Sequence, residues 1–209
     1  MLTIKKLFKY LKTDYRWQDL IPLDLQFNHD KLLVITGPNA SGKSVLRRII
    51  HGNAKKHKVD AIAVSPEFKQ YGGIDTAFVY GDESYEASGA IACHACQGSI
   101  STSRKRDVPH VVILDEPDMG LSDNCAAGIG EEIAEFIQDP PELLLFYSLI
   151  THRRALLQPL LHASHIRVGG DNLTLKQVFE EPITPIRPAT LQDQAHDLFR
   201  KVSARIKLK

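Results

Sequence analysis

Short apolar runs alternate with amphipathic stretches along most of the chain, and this alternation predicts strands and helices in turn. The strand candidates are residues 20–36, which hold two strands around the turn 28–30, then 60–65, 74–79, 111–114 and 143–150. The helix candidates are residues 44–57, 89–103, 124–137, 153–161 and 191–206. Because strands and helices alternate, we expect an α/β fold with a mostly parallel central sheet flanked by helices.

The C-terminal part of the chain follows a different pattern. Three prolines between Pro182 and Pro188 predict an extended connection to the last helix. That helix repeats apolar residues at spacings of three and four, namely Ala195, Leu198, Phe199, Val202 and Ile206. We expect this apolar stripe to dock on the domain or on a partner. The sequence therefore divides into a domain of residues 1–180 and a helical tail of residues 181–209.

Composition and charge narrow the function classes only slightly. The chain has 209 residues, of which 43% are hydrophobic, so one domain with a short appendage is expected. The net charge is only +1, but both ends are basic. The basic residues are Lys5, Lys6, Lys9 and Lys12 at the start and Arg200, Lys201, Arg205, Lys207 and Lys209 at the end. Such clusters are usually solvated helix faces, and contact with nucleic acid or an anionic surface is the alternative.

Localisation and thiol chemistry follow from what the sequence lacks. No run of about eighteen apolar residues is present, and the N-terminus has no signal-peptide core, so we expect no membrane span and a cytoplasmic protein. The three cysteines give an odd count, which favours reduced thiols over a disulfide framework. Cys93 and Cys96 have the spacing of half a zinc site, but no second pair completes it.

The segment GPNASGKS directly follows the apolar run 32–35, and this order is typical of a strand, a phosphate-binding loop and a helix start. Gly37 and Gly42 allow the backbone amides to curl around phosphate groups beside a helix N-terminus. Lys43 is expected to neutralise β/γ-phosphate charge, and Ser44 to bind Mg²⁺. The sequence therefore predicts ATP and Mg²⁺ as ligands. The nucleotide-contacting candidates are Gly37, Pro38, Asn39, Ala40, Ser41, Gly42, Lys43, Ser44 and Val45.

Two adjacent carboxylates end the apolar strand 111–114. Because parallel strands end at one edge of a sheet, we expect Asp115 and Glu116 beside the phosphate loop. Asp115 can hold Mg²⁺ through its water shell, and Glu116 can polarise the water that attacks the γ-phosphate.

The sequence Asp115-Glu116-Pro117 with a following Leu-Ser-Asp turn resembles the Walker B and D-loop motifs of the ABC-type ATPase superfamily. Thr151-His152, after the apolar run 143–150, resembles the switch histidine of that superfamily. The motifs occur in the same order as in the superfamily and cover most of the chain. The resemblance implies an ABC-like P-loop NTPase fold and a His152 that contacts the γ-phosphate.

Within that superfamily the chain most resembles the ATPase domain of the MutS mismatch-repair family, from about residue 20 to residue 161. The distance from Lys43 to Ser65-Pro66 is short, and the run 72–89 carries similar Ile-Asp, Phe, Gly and Ala-Ser-Gly landmarks. The chain departs from the family at Ala90-Ile91, where a Ser-Thr pair is usual. The segment 115–122 is also closer to the general ABC pattern.

The resemblance further implies an ATP-dependent homodimer, in which two heads enclose two nucleotides. Ser88 matches the signature serine by spacing and would contact the γ-phosphate bound to the second subunit. Ser99, in Gln97-Gly98-Ser99, is the alternative.

Two further positions are suggested by where the superfamily places its contacts. An aromatic side chain upstream of the phosphate loop usually stacks on adenine, and Trp17 is preferred here over Tyr15 and Tyr10. Glu67 stands where many ABC proteins have a glutamine that reaches the Mg²⁺ or the attacking water.

Three functions are compatible with these motifs. The first is a MutS-like ABC ATPase that dimerises on ATP and acts in DNA repair, recombination or replication, with DNA bound by the basic ends or by a partner protein. The second is a P-loop kinase that transfers the γ-phosphate to a nucleic-acid or small-molecule hydroxyl, with the basic cluster 104–106 as its lid. The third is an ATP-dependent switch subunit of a larger assembly.

Overall fold

The computed structural model describes residues 2–13, 23–65, 88–182, 184, 186 and 188–207. The strands are β1 (Leu23–Gln26), β2 (Leu32–Thr36), β3 (Asp60–Val64), β4 (His110–Asp115), β5 (Leu144–Ile150) and β6 (Ser164–Val168). The helices are α1 (Ile4–Thr13), α2 (Lys43–Lys56), α3 (Ser88–Lys105), α4 (Asp123–Gln138), α5 (Arg154–Leu157), α6 (Leu175–Glu180) and α7 (Pro188–Lys207). A 3-10 turn, Gln158–Leu160, follows α5.

The six strands form one sheet in the order β1-β6-β2-β5-β4-β3. All neighbouring pairs are parallel except β1 with β6, so the prediction of a mostly parallel sheet in an α/β fold is confirmed. The two strands expected within residues 20–36 are present, but β6 lies between them. The strand expected at 74–79 lies outside the described residues.

The sheet separates two apolar layers because successive side chains of a strand point to opposite faces. Leu32 and Val34 of β2 face a core that is completed by α3, α4, α5 and α6. Leu33 and Ile35 face a second core that is completed by α1 and α2. The helix predictions 44–57, 89–103 and 124–137 correspond to α2, α3 and α4, respectively.

The helix expected at 153–161 is shorter in the structure. It consists of the four-residue α5 and then the 3-10 turn, which contains Pro159 near its start. Proline has no N–H to donate and interrupts an α-helical ladder. Gly130 of α4 allows this turn to approach closely, because a Cβ at Gly130 would lie 2.4 Å from the carbonyl oxygen of Leu156.

The expected C-terminal helix is present as α7, but its stripe is not buried against the described part of the chain. Phe199 is 71% exposed, and Leu198 and Val202 are only half-buried. Docking on the domain is therefore not observed, and docking on a partner stays a prediction, as does the boundary between residues 180 and 181. Among the described residues, no helix combines the length and apolarity that a membrane crossing needs.

Candidate active site

Three loops meet at the carboxyl edge of the sheet, where β2, β4 and β5 end. The loop 37–42 follows β2, the acid pair follows β4, and Thr151-His152 follows β5. Backbone hydrogen bonds tie these ends together, since the Glu116 N–H donates to Ile150 O at 2.9 Å and the Thr151 N–H donates to Ile35 O at 3.2 Å. The topology therefore brings together the phosphate-loop, acid-pair and histidine segments.

The loop after β2 has a backbone that only particular residues permit. Gly42 has φ 106° and begins α2 without a side-chain cap, so the first amides of this helix lack the usual side-chain acceptor. A Cβ at Gly37 would lie 2.4 Å from the carbonyl oxygen of Val168. Ser41 Oγ is buried without a hydrogen-bond partner in the described structure. An uncapped helix start beside an unsatisfied hydroxyl is suited to binding an oxyanion.

The side chain of Lys43 lies inside this loop and bonds to its backbone. Its side chain is buried, and Nζ donates to the carbonyl oxygens of Gly37 and Pro38, both at 2.9 Å. Burial lowers the pKa of Lys43, whereas the nearby carboxylates of Glu116 and Asp115 raise it. The cation thus lies beside both acids. Pro38, Asn39 and Ser44 are exposed, whereas Ala40 and Val45 are half-buried.

Asp115, the last residue of β4, is buried and paired with a residue that the sequence analysis missed. Arg47 Nε of α2 lies 3.0 Å from Asp115 Oδ2, and Arg47 Nη1 donates to Ser65 Oγ at 3.1 Å. Arg47 therefore connects α2 with the ends of β3 and β4. The available signal was a charged residue between Leu46 and Ile50, which are both buried on the core-facing side of α2.

Glu116 has very different surroundings from its neighbour. Its backbone has φ 50°, an uncommon conformation for a residue with a Cβ, and its side chain is 33% exposed. His152 Nδ1 lies 3.4 Å from Glu116 Oε1. The hydrogen bond with His152 lowers the pKa of Glu116, and Lys43 lowers it further. The same hydrogen bond raises the pKa of His152.

A buried carboxylate, also missed, joins the acid-pair turn to the end of β5. Asp118 Oδ1 accepts a hydrogen bond from Thr151 Oγ1 at 3.0 Å, and Arg153 Nε lies 3.5 Å from Asp118 Oδ2. The Arg153 guanidinium also donates to the carbonyl oxygen of Leu121. These contacts hold the turn after Glu116 against the segment that carries His152.

The start of α3 packs on the same turn. Ser88 is the first residue of α3, and a Cβ at Gly89 would lie 3.3 Å from Leu121 Cδ2. The alternative serine does not fit an intersubunit contact, because Ser99 is fully buried and its hydroxyl bonds to Cys96 O and Tyr147 OH.

The aromatic candidates divide between described and undescribed parts of the chain. Trp17, Tyr15 and Glu67 lie outside the described residues. Tyr10 lies in α1, half-buried against the core beneath α1 and α2. The structure therefore leaves the preference for Trp17 as a prediction.

Arg167 of β6 is a further basic residue near the loop 37–42. Arg167 is buried and donates to both carboxylate oxygens of Asp171, at 2.7–3.1 Å. Its charge contributes to lowering the pKa of Lys43. The adjacent His165 Nε2 lies 2.8 Å from Thr36 Oγ1, and burial lowers the pKa of His165 to about 4. A neutral imidazole therefore packs beside the strand that leads into the loop.

The side chains of this site are compatible with Mg²⁺, a divalent cation that needs few protein ligands. No group of three or more His, Cys, Asp or Glu side chains suited to a metal occurs in the described ranges. Mg²⁺ needs fewer protein ligands, because it keeps several waters and takes the rest of its ligands from phosphates. The exposed Ser44 and the buried Asp115 match that requirement, although Arg47 already neutralises Asp115.

Comparison with known proteins gives a distant relative. No protein-family model matches the chain. Over 132 residues it is 25% identical to the zinc import ATP-binding protein ZnuC of Wigglesworthia glossinidia brevipalpis. The match covers 49% of this chain and 57% of the length of that relative. This similarity supports the coarser assignment, an ABC-class P-loop ATPase, and gives no support to the MutS-like one.

Proposed function

We propose that this protein binds ATP with Mg²⁺ at the carboxyl edge of the sheet and hydrolyses its terminal phosphoanhydride. The observation that carries the proposal is the convergence of an uncapped helix start, a buried lysine, two carboxylates and a histidine at one edge. The similarity to an ATP-binding protein supports the same conclusion.

Nucleotide binding would use the loop 37–42 and the first turn of α2. The β- and γ-phosphates would accept hydrogen bonds from the amides of this turn, and Lys43 Nζ would exchange its two loop carbonyls for phosphate oxygens. Ser41 Oγ would gain the acceptor that it lacks. Trp17 is proposed as the residue that stacks on adenine.

Ser44 and, through water, Asp115 would hold Mg²⁺, which when bound to the phosphates screens their charge. Arg47 would keep the Asp115 carboxylate charged and correctly oriented, because both side chains of this ion pair are buried. The chain thus supplies one hydroxyl and one carboxylate beside the loop.

Hydrolysis would depend on Glu116. The oxygen of a water attacks the γ-phosphorus, the bond from phosphorus to the β–γ bridging oxygen breaks, and the proton of the water passes to the carboxylate of Glu116. ADP leaves with the electron pair of that oxygen. His152 contacts the same carboxylate and would orient it and contact the γ-phosphate.

Dimerisation on ATP is a further part of the proposal. Gly89, the second residue of α3, lies against Leu121 of the acid-pair turn, and this supports the proposal that the neighbouring Ser88 would contact the γ-phosphate bound to a second subunit. The finer, MutS-like role in DNA repair, recombination or replication is proposed only from the short distance between Lys43 and Ser65-Pro66 and from the segment 72–89.

The kinase alternative is disfavoured by the position of its lid candidate. Arg104 stacks on Phe136 with its guanidinium carbon 5.2 Å from the ring centroid, and Arg106 Nη1 lies 3.1 Å from Asp60 Oδ2. Asp60 begins β3, so this cluster lies at the amino edge of the sheet, opposite the phosphate loop. Its arginines are too far along the strands to cover the phosphates.

The test follows the fate of the γ-phosphate of radiolabelled ATP with the purified protein. We expect free phosphate from the wild type and loss of both ATP binding and phosphate release in Lys43→Ala. Lys176→Ala, which removes an exposed lysine of α6, serves as the matched control. Label on a polymer or a small molecule would establish a kinase, and ATP binding at full strength by Lys43→Ala would overturn the site. Binding without release would replace the ATPase by a switch subunit.

A further inference from the structure

The small net charge of the chain conceals an uneven distribution of charge among the helices. The layer of α1 and α2 contains no aspartate or glutamate within either helix. On the other side of the sheet, α4 carries Asp123, Glu131, Glu132 and Glu135 and no basic residue. We define the basic face by seven exposed lysines of the first layer and its following turn: Lys5, Lys6, Lys9, Lys12, Lys55, Lys56 and Lys58.

No ion pair joins any of these seven lysines to an acid among the described residues. Lys5 instead lies over the ring of Phe27, with Nζ 4.6 Å from the ring centroid. Exposed lysines usually stand near acids on the same helix, at spacings of three or four. Seven unneutralised charges on one face create a positive field that attracts a polyanion.

The two helices lie on the same side of the sheet, over different strands. Phe8 of α1 packs edge-on against Phe27, with ring centroids 6.4 Å apart, and Phe27 follows β1 next to β6. Helix α2 contacts β3 and β4, at the other end of the strand order. The lysines of the two helices therefore form two groups of positive charge on one side of the sheet, and an extended polyanion can contact both groups at once.

Lys5 and the lysines at the end of α2 lie at the opposite edge of the sheet from the candidate active site. Gln26 pairs with His165 near the start of β6, so Phe27 and Lys5 stand at the amino edge. Helix α2 begins at the phosphate loop and ends at Lys56, also at the amino edge, just before β3. A polyanion bound here would leave the nucleotide site accessible.

The packing of α1 favours nucleic acid over a membrane as the polyanion that this face binds. Helices that bind membranes insert an exposed apolar side into the lipid. The apolar residues of α1 are instead in the protein core: Ile4, Leu7, Phe8 and Leu11 are at most 7% exposed. Only the lysine side remains available, and lysines alone suffice for phosphodiester groups, where affinity comes from counterion release.

We propose that the basic face binds double-helical nucleic acid through its phosphate backbone, without reading its sequence. Lys5, Lys9 and Lys12 share one side of α1 and span roughly 10 Å along it, enough for about three successive phosphates of a strand. Lys55 and Lys56, at the end of α2, would contact further phosphates of the same duplex.

The test measures the anisotropy of a fluorescent DNA duplex at several salt concentrations. The first variant is Lys5→Gln, Lys9→Gln and Lys12→Gln, and the second is Lys55→Gln and Lys56→Gln. The matched control removes three exposed lysines elsewhere: Lys105→Gln, Lys176→Gln and Lys201→Gln. Thermal denaturation checks that each variant is folded, which is expected because the side chains are exposed.

We expect the α1 variant to weaken duplex binding about tenfold or more at low salt and to reduce the slope of log affinity against log salt by about 2 to 3. The loss should be the same for unrelated sequences, and the control should match the wild type. ATP hydrolysis without DNA should be unchanged in all variants, so failure of this surface can be told apart from failure of the ATPase. No duplex binding by the wild type, equal losses in the control, or lysine-dependent binding to phosphatidylserine vesicles in place of DNA would overturn the proposal.

Discussion

Asp115 and Glu116 are neighbours in sequence, yet the fold gives their carboxylates opposite environments. Asp115 is buried, and its partner is the guanidinium of Arg47 at 3.0 Å. Glu116 is one-third exposed, and its partner is the imidazole of His152 at 3.4 Å. Asp115 still belongs to β4, whereas Glu116 has turned to φ 50°. Alternation along a strand and one uncommon backbone angle are enough to separate the two side chains.

The difference teaches how one acid pair can divide two tasks. A carboxylate that is locked to a buried arginine keeps its charge and position, which suits the holding of a metal through water. A carboxylate with a titratable, exposed partner can accept and release a proton, which suits a general base. We expect substitutions of Arg47, the partner of Asp115, to affect mainly stability, substitutions of Asp115 to affect both stability and Mg²⁺ binding, and substitutions of Glu116 to affect mainly turnover.

The sharpest test of this division is Glu116→Gln. We expect kcat for ATP hydrolysis to fall by roughly 10² to 10⁴, because the proposed general base is lost while the shape of the side chain is kept. ATP binding should persist, and the free energy of unfolding should change by less than about 1 kcal/mol. Phosphate release and urea denaturation measure the two effects. Glu131→Gln, an exposed acid of α4, is the control, and an undiminished kcat would remove Glu116 from the base role.

Arg47→Leu is expected to lower the free energy of unfolding more than it lowers turnover. This change removes the guanidinium that pairs with the buried carboxylate of Asp115, which should cost about 3–5 kcal/mol of unfolding free energy. The double variant Arg47→Leu, Asp115→Asn should recover much of that loss, because the buried negative charge is removed together with the guanidinium. Chemical denaturation of the four proteins of this cycle measures the coupling. Additive losses would show that the ion pair does not stabilise Asp115.

The smallest effect concerns the pH dependence of the Glu116–His152 pair. The pKa of Glu116 is lowered from 4.5, so its contribution is present above 4.5 and is lost as pH falls through its folded value. The pKa of His152 is raised from 6.5, so its contribution is complete below 6.5 and is lost as pH rises through its folded value. The pair should therefore stabilise most between these values, by at most about 1 kcal/mol because His152 is exposed.

A double-mutant cycle of Glu116→Gln and His152→Ala at about pH 5.5 and about pH 8.5 measures this coupling. We expect coupling at the lower pH and almost none at the higher one. NMR titration should find the pKa of His152 closer to 6.5 in Glu116→Gln than in the wild type. Coupling that is equal at both values would mean that the contact does not depend on charge.

Much of the local structure was predictable. The strand before Gly37 and the strand before Asp115 were both located within a few residues, because an apolar run followed by a turn residue is a local signal. The strand β6 was not found, since His165 and Arg167 give it the composition of a polar loop. His165 contacts Thr36, which lies far along the chain, and Arg167 is paired with Asp171 and Glu181, which follow the end of the strand.

The burial of the amphipathic N-terminal segment was also not predictable from local sequence signals. The sequence analysis identified the lysines of α1 but not its apolar residues as part of the core. Its exposed face became informative only when α2 was found on the same side of the sheet. In the same way, Arg47 was an unremarked residue until α2 was placed over the end of β4.

The sequence by itself determined most of the strands and helices of the domain, β6 excepted, and the chemical groups that follow β2, β4 and β5. The tertiary structure alone decided that β6 separates β1 from β2, that Arg47 pairs with Asp115, and that the basic and acidic helices face opposite sides. The physical reason is the distance along the chain over which each interaction acts. Backbone preferences and side-chain periodicity act over a few residues, whereas ion pairs and layers join residues that only the packing of the sheet brings together.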